Sequence, residues 1–136
     1  MKVFVDTNVL IDYVCKRESF FVPAKAVFAS CFLGKIGIIV SSLSIVNTIY
    51  IGRKHDSSKI KHNLLGLSQI VTYADMPASL VQEALQTDWN DYEDALQNAT
   101  ALMTKADCIV TRNKNDFASS SLPVYCPEEL LALLDQ

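Results

Sequence analysis

The chain has 136 residues, half of them hydrophobic and a fifth charged, with 12 Lys and Arg against 15 Asp and Glu for a net charge of −3. That length fits a single domain over residues 1–136 with one sizeable core, and the apolar content excludes a disordered chain. The negative balance argues against broad electrostatic adhesion to nucleic acid, which draws on a clustered excess of Lys and Arg.

Lys2 to Val5 reads as a short buried strand, β-branched and aromatic on both parities, followed at once by Asp6-Thr7-Asn8, a good start for a helix reaching about Val14. Lys16 to Ser19 is a polar break. Pro23 suits the first turn of a second helix that runs to Leu33 and stops at Gly34. Gly37 to Val40 is a second buried strand, and Ser41 or Ser42 caps the next helix, which carries Leu43, Val46, Asn47, Tyr50 and Ile51. Lys59 to Leu67 reads as helical, ending near Gly66, then Ile70 to Tyr73 as a third strand. Pro77 opens a helix to about Gln86. A loop through Asn90 precedes an acidic helix from Asp91 to Met103, and Cys108 to Thr111 is a fourth strand. Val124 to Cys126 is a fifth, and Pro127-Glu128-Glu129 starts a last, Leu-rich helix. Short buried strands alternating with helices indicate an α/β fold, a central and mostly parallel sheet of about five strands covered on both faces.

The longest apolar stretches are broken by Lys25, Gly34 and Lys35, well short of the roughly 20 residues that span a bilayer, so no membrane association is expected. The first residues lack the charged and long apolar regions of an export signal, so a cytoplasmic location is expected. Cys15, Cys31, Cys108 and Cys126 are scattered among apolar neighbours with no Cys-x-x-Cys pair, which reads as buried, reduced thiols. Arg53, Lys54, His55, Lys59, Lys61 and His62 form a basic run that is either a solvated helix face or a phosphate-tracking edge.

Three acidic signatures lie far apart: Asp6 in Val3-Phe4-Val5-Asp6-Thr7-Asn8, then Asp91-Tyr92-Glu93-Asp94, and Asp116 in Thr111-Arg112-Asn113-Lys114-Asn115-Asp116-Phe117. In a parallel sheet the ligand crevice lies beyond the carboxyl ends of the strands, where Asp6 and the segment 111–116 both fall. Asp94, in the first turn of its helix, would face them. Each acid alone has an ordinary explanation. Asp6 suits a cap, Asp91 with Asp94 resembles a capping pair in which Asp91 is the structural member, and Asp116 suits an Asx turn. Together they are harder to explain by capping, and converging carboxylates call for a hard cation such as Mg²⁺ or Mn²⁺.

Over nearly its whole length the chain resembles PIN-domain proteins. Val-Asp-Thr-Asn-Val-Leu at 5–10 is similar to the family's opening strand and first acid, Glu-Asp-Ala-Leu at 93–96 to the helix bearing a later acid, and Thr-Arg-Asn-x-x-Asp-Phe at 111–117 to its closing motif. The resemblance implies a three-layer α/β/α fold and a Mg²⁺- or Mn²⁺-dependent ribonuclease. It also implies a frequent homodimer and, as in VapC-type proteins, the toxin half of a pair with an antitoxin protein. Asp6, Asp94 and Asp116 would be the metal-site acids, Thr111 and Asn113 would position the loop or a water, and Ser41 matches the small polar residue that ends the second strand. Asn8, Asp91 and Glu93 would support them.

Where most active members carry a glutamate after the second strand, this chain has Asn47, as does a subgroup with the Asp-x-Glu-Asp-Ala pattern. An amide oxygen can bind Mg²⁺ but brings no charge and cannot act as a general base, so Glu93 or Asp91 would have to compensate. The expected mechanism is in-line attack of a water, activated by the ion, on an RNA phosphodiester, with Arg112, Lys114 and Arg53 at flanking phosphates. A competing expectation is a catalytically weak module that binds RNA or protein. A haloacid-dehalogenase-type phosphotransferase would need a second Asp at position 8, and a receiver-type phosphoacceptor an acidic pair that is missing.

Overall fold

The apolar runs at the start, middle and end of the chain become the strands of one sheet in the computed structural model, which describes residues 1–136. The elements in order are β1 (Lys2–Val5), α1 (Thr7–Val14), α2 (Phe21–Phe32), β2 (Gly37–Ser41), α3 (Ser42–Gly52), α4 (Ser57–Leu67) and β3 (Thr72–Ala74). They continue with α5 (Ala78–Leu85), α6 (Tyr92–Met103), β4 (Cys108–Val110), a 3-10 turn (Lys114–Phe117), β5 (Val124–Tyr125) and α7 (Pro127–Leu134). The strand order is β3-β2-β1-β4-β5 and every pair is parallel, so the sheet is wholly rather than mostly parallel. No helix is long and apolar enough to cross a membrane.

Both parities of the strands are apolar because both faces of the sheet are covered. Val3 and Val5 of β1, Ile38 and Val40 of β2, and Cys108 and Val110 of β4 point into the larger core. They meet Val9 and Leu10 of α1, Val27 and Phe28 of α2, Leu64 of α4 and Leu130 of α7 there. The intervening residues Phe4, Ile39 and Ile109 point the other way, toward Ala101 of α6 and Phe117. This alternation produces the three-layer α/β/α arrangement.

Local chemistry sets the helix ends. Asp6 caps α1, Ser41 caps α3, Asp56 caps α4 and Asp91 caps α6, each side-chain oxygen accepting from an otherwise unpaired N–H of the first turn. Gly34, with φ +75°, follows the C-terminus of α2 in the left-handed conformation that suits glycine. Some boundaries differ from expectation. The helix α4 ends at Leu67 as expected but starts two residues before Lys59, at Ser57, where Asp56 caps it, and β3 starts at Thr72, not Ile70, because the N–H groups of Ile70 and Val71 are drawn back to the Leu67 carbonyl. All four cysteines are unpaired; Cys31 and Cys108 are buried, whereas Cys15 and Cys126 are half-buried rather than enclosed.

The topology locates the site. From β1 the chain steps outward to β2 and β3, then returns to the other side of β1 for β4, so strand order reverses between β1 and β4. Val5 pairs with Val110 across that point, which sets Asp6 and Thr111 side by side just beyond the strand ends.

Candidate active site

Asp6 is buried, with 7% of its surface exposed, and it is held from three directions. Its backbone N–H donates to the Val110 carbonyl at 2.9 Å, Oδ1 accepts from the Thr7 N–H at 2.8 Å, and Oδ2 accepts from the Thr111 hydroxyl at 2.8 Å. Burial pushes its carboxyl above the usual Asp range; the bonds from Thr111 and Thr7 oppose that rise, and the Glu93 charge adds to it. Thr111 is itself oriented, accepting from Asn8 Nδ2 at 3.2 Å and from the Asn113 N–H at 3.1 Å. Asn8 also accepts from the Arg112 N–H at 3.3 Å, which ties α1 to the segment after β4.

Below Asp6 lies a polar network that the sequence did not announce. Gln97, on the face of α6 one turn beyond Asp94, is fully buried and points Nε2 at Thr7 Oγ1 (2.9 Å), Ser44 Oγ (2.8 Å) and, more weakly, Asp6 Oδ1 (3.5 Å). Thr7 and Ser44 share a hydrogen bond at 2.7 Å, and Ser41 joins through Ser44 at 3.2 Å. Gln97 Oε1 has no partner. The available signal was the i, i+3 spacing of Asp94 and Gln97, which puts both on one helix face.

Above Asp6 the start of α6 presents its acids. Asp91 caps the helix, accepting from the Asp94 N–H at 3.0 Å, and Asn47 Nδ2 of α3 donates to Glu93 Oε1 at 2.8 Å. Asp6, Asn8, Asp91, Glu93, Asp94, Asn113 and Asp116 all line one cleft of about 270 Å³. Asp91, Asp94 and Asp116 continue into an adjoining recess of similar size with Trp89. Five carboxylates therefore share a cleft in which Arg17 is the one cation.

The electrostatic result is concentrated on Asp94. Its carboxyl is pushed up to about 7, first by burial and then by the charges of Asp91, Asp6, Asp116 and Glu93. A hard divalent cation fits this donor set by charge and by oxygen chemistry. As the side chains stand, no three carboxylates close on a single point, so the fit is one of charge and donor kind rather than finished geometry.

The cations expected at flanking phosphates have other partners within the fold. Arg112 Nε lies 2.5 Å from Oδ2 of Asp12, a carboxylate 1% exposed, and its guanidinium packs 4.0 Å over the Phe20 ring. A buried carboxylate must be paired, and α1 presents Asp12 to the segment after β4. Lys114 pairs with Glu129 at 3.1 Å, and Arg53 covers the Tyr50 ring at 3.8 Å; neither lines the acidic cleft. Asn47 also stands outside the lining, reaching it through Glu93, and Ser41 is buried beneath as the cap of α3.

A family profile described as PIN domain matches residues 2–115. Comparison with curated protein sequences finds no match. Among solved structures, a toxin–antitoxin complex from Klebsiella pneumoniae is similar at 21% identity and TM-score 0.67, covering 92% of this chain and 97% of that one. VapC20 of Mycobacterium tuberculosis, described as a sarcin–ricin loop cleaving toxin, is similar at 17% identity and TM-score 0.63 over 79% and 86% of the two chains. VapBC2 of Rickettsia felis, solved on a DNA fragment of its promoter, is similar at 17% identity and TM-score 0.63 over 91% and 97%. At these identities the structures speak for the fold, and with the profile covering most of the chain, the protein belongs to the PIN-domain family.

Proposed function

We propose that the protein is a Mg²⁺- or Mn²⁺-dependent ribonuclease, in which Asp6, Asp94 and Asp116 hold the ion and Glu93 supports them. The observation that carries this is the meeting of carboxylates from β1, α6 and the 3-10 turn in one cleft, crowded enough to push Asp94 to about 7. When bound, the ion would offset that repulsion, lower the pKa of an attacking water and stabilise charge on the leaving oxygen. Thr111 and the Thr7 N–H fix the Asp6 carboxylate, and Asp91 holds the first turn of α6 so that Asp94 faces the cleft. Arg17, which lines the cleft wall and lies 3.7 Å from Asp12, would meet a phosphate oxygen of the RNA. Asn113, on the loop that Thr111 anchors, supplies a polar group beside Asp116.

The toxins among its structural neighbours favour a further step, a toxin restrained by an antitoxin protein, to which this reading adds a homodimer and a cytoplasmic location. One observation favours a second reading, a catalytically weak RNA- or protein-binding module. Asn47 gives Glu93 a neutral amide where a carboxylate is usual, and no three of the acids in the cleft close on a single point. The deciding experiment is cleavage of a mixed-sequence RNA by wild type and Asp94→Asn with Mg²⁺, with Mn²⁺ and with chelator. Metal-dependent cutting by wild type alone supports the nuclease; a folded wild type that never cuts supports the module.

A further inference from the structure

A second cleft, of about 520 Å³, opens between α2, α4 and the C-terminal end of α1. Its volume lies in the range of roughly 300–1,000 Å³ typical of ligand sites. Lys16, Lys25, Lys59 and His62 line it together with Tyr13 and Phe21, and none of its 11 lining residues is acidic. On a chain of net charge −3 this is a concentrated exception. Lys59 and His62 come from the basic run between residues 53 and 62, while Lys16 and Lys25 join from a different part of the sequence.

The rings of Tyr13 and Phe21 are parallel within 11° at 6.3 Å, and Lys25 Nζ sits 5.8 Å from the Phe21 centroid. Tyr13 also stacks on the buried Phe28 at 4.6 Å, so the rings pack on one another as the cleft floor, and it is the lysines that would engage a single strand, through its phosphates. The position points the same way. The acidic cleft takes Asn8 and Ile11 of α1 and then Arg17, whereas the basic cleft takes Tyr13 and Val14 and then Lys16. The two therefore meet at the turn after α1, where consecutive residues belong to different clefts.

We propose that the basic cleft is an exosite for single-stranded RNA, holding a stretch of the strand beyond the phosphodiester presented to the acids. This rests on the ribonuclease reading of the acidic cleft for its substrate, but it concerns binding through different residues. An acidic peptide would satisfy the lysines but has no phosphodiester to pass on to the adjoining acidic cleft.

The test is binding of a fluorescent 12-nucleotide pyrimidine RNA in chelator, from low to high salt, by wild type and by Lys25→Ala/Lys59→Ala, both exposed positions. Lys2→Ala/Lys35→Ala is the charge-matched control, and a 12-residue oligoglutamate is the competing probe. Two lost phosphate contacts should lower the salt slope by about 1.4 and weaken binding on the order of tenfold at 0.1 M salt, while the control keeps the wild-type slope. Metal-dependent cleavage of a dinucleotide, too short to reach the exosite, should be unchanged in the variant while cleavage of the 12-mer falls. Equal RNA affinity and slope in wild type and variant refute the exosite and leave the nuclease reading standing. RNA binding that is lost in the variant of a protein that never cleaves sustains the exosite and removes the nuclease. Failure of wild type to bind RNA, or tighter binding of oligoglutamate than of RNA, overturns the assignment.

Discussion

Replacing Asp94 with Asn should stabilise the protein above neutral pH while abolishing the proposed RNA cleavage. In the unfolded chain an Asp titrates near 3.9; in the fold Asp94 is pushed from 3.8 to about 7, by burial first and then by Asp91, Asp6, Asp116 and Glu93. A folded pKa above the unfolded one means the protonated form is favoured by folding. That contribution is complete below about pH 4 and is lost as pH rises through about 7, so the native state bears the full cost of the charge at pH 8. Taken at face value the shift is worth about 4 kcal/mol. Asp94 is only half-buried, so solvent screening reduces this to roughly 2 kcal/mol. Removing a negative charge from the first turn of α6 takes back about 0.5 kcal/mol, leaving a net gain of about 1.5 kcal/mol. For 136 residues at about 2.1 cal/mol/K each, that raises Tm by about 5 °C. Calorimetry in chelator at pH 8 and pH 4.5 measures it, with the gain expected at pH 8 and mostly gone at 4.5. Added Mn²⁺ should raise Tm of the wild type more than that of the variant. A gain of the same size at both pH values, or none at pH 8, would refute the claim that the acids share one repulsive field.

Arg112→Ala leaves the buried Asp12 with only Arg17, 3.7 Å away, and should cost about 3 kcal/mol in urea denaturation, a structural loss instead of a loss of RNA affinity. Asn47→Glu sets a carboxylate against Glu93, so the variant should lose about 1 kcal/mol in chelator and show a larger Mn²⁺-induced rise in Tm than wild type. Gly52→Ala places a Cβ 2.5 Å from Ile60 Cδ1 and 3.3 Å from Cys15 Sγ. Overpacking of about 2 kcal/mol outweighs a helix-propensity gain of about 1 kcal/mol, so its Tm should fall; adding Ile60→Val, which removes the clashing methyl, should restore it.

The sequence by itself determined most of the local architecture. Continuous apolar runs marked strands buried on both faces, and Asp6, Ser41, Asp91, Pro23 and Gly34 marked helix ends, because these signals act over a few residues. It also singled out the acids, since no run of ordinary caps accounts for all of them at strand and helix ends. Boundaries failed where backbone bonds competed, as at Leu67, which retains the N–H groups of Ile70 and Val71 and delays β3. The tertiary structure decided which residues meet. Pairing of β1 with β4 sets Asp6 beside Thr111, packing of α6 over that edge buries Gln97 beneath them, and α1 claims Arg112 through Asp12. It likewise gathered Lys16 and Lys25 with Lys59 and His62 around one cleft while leaving Arg53 on Tyr50. Such contacts join residues tens of positions apart, and their choice depends on strand order and burial, which charge and spacing along a single chain do not encode.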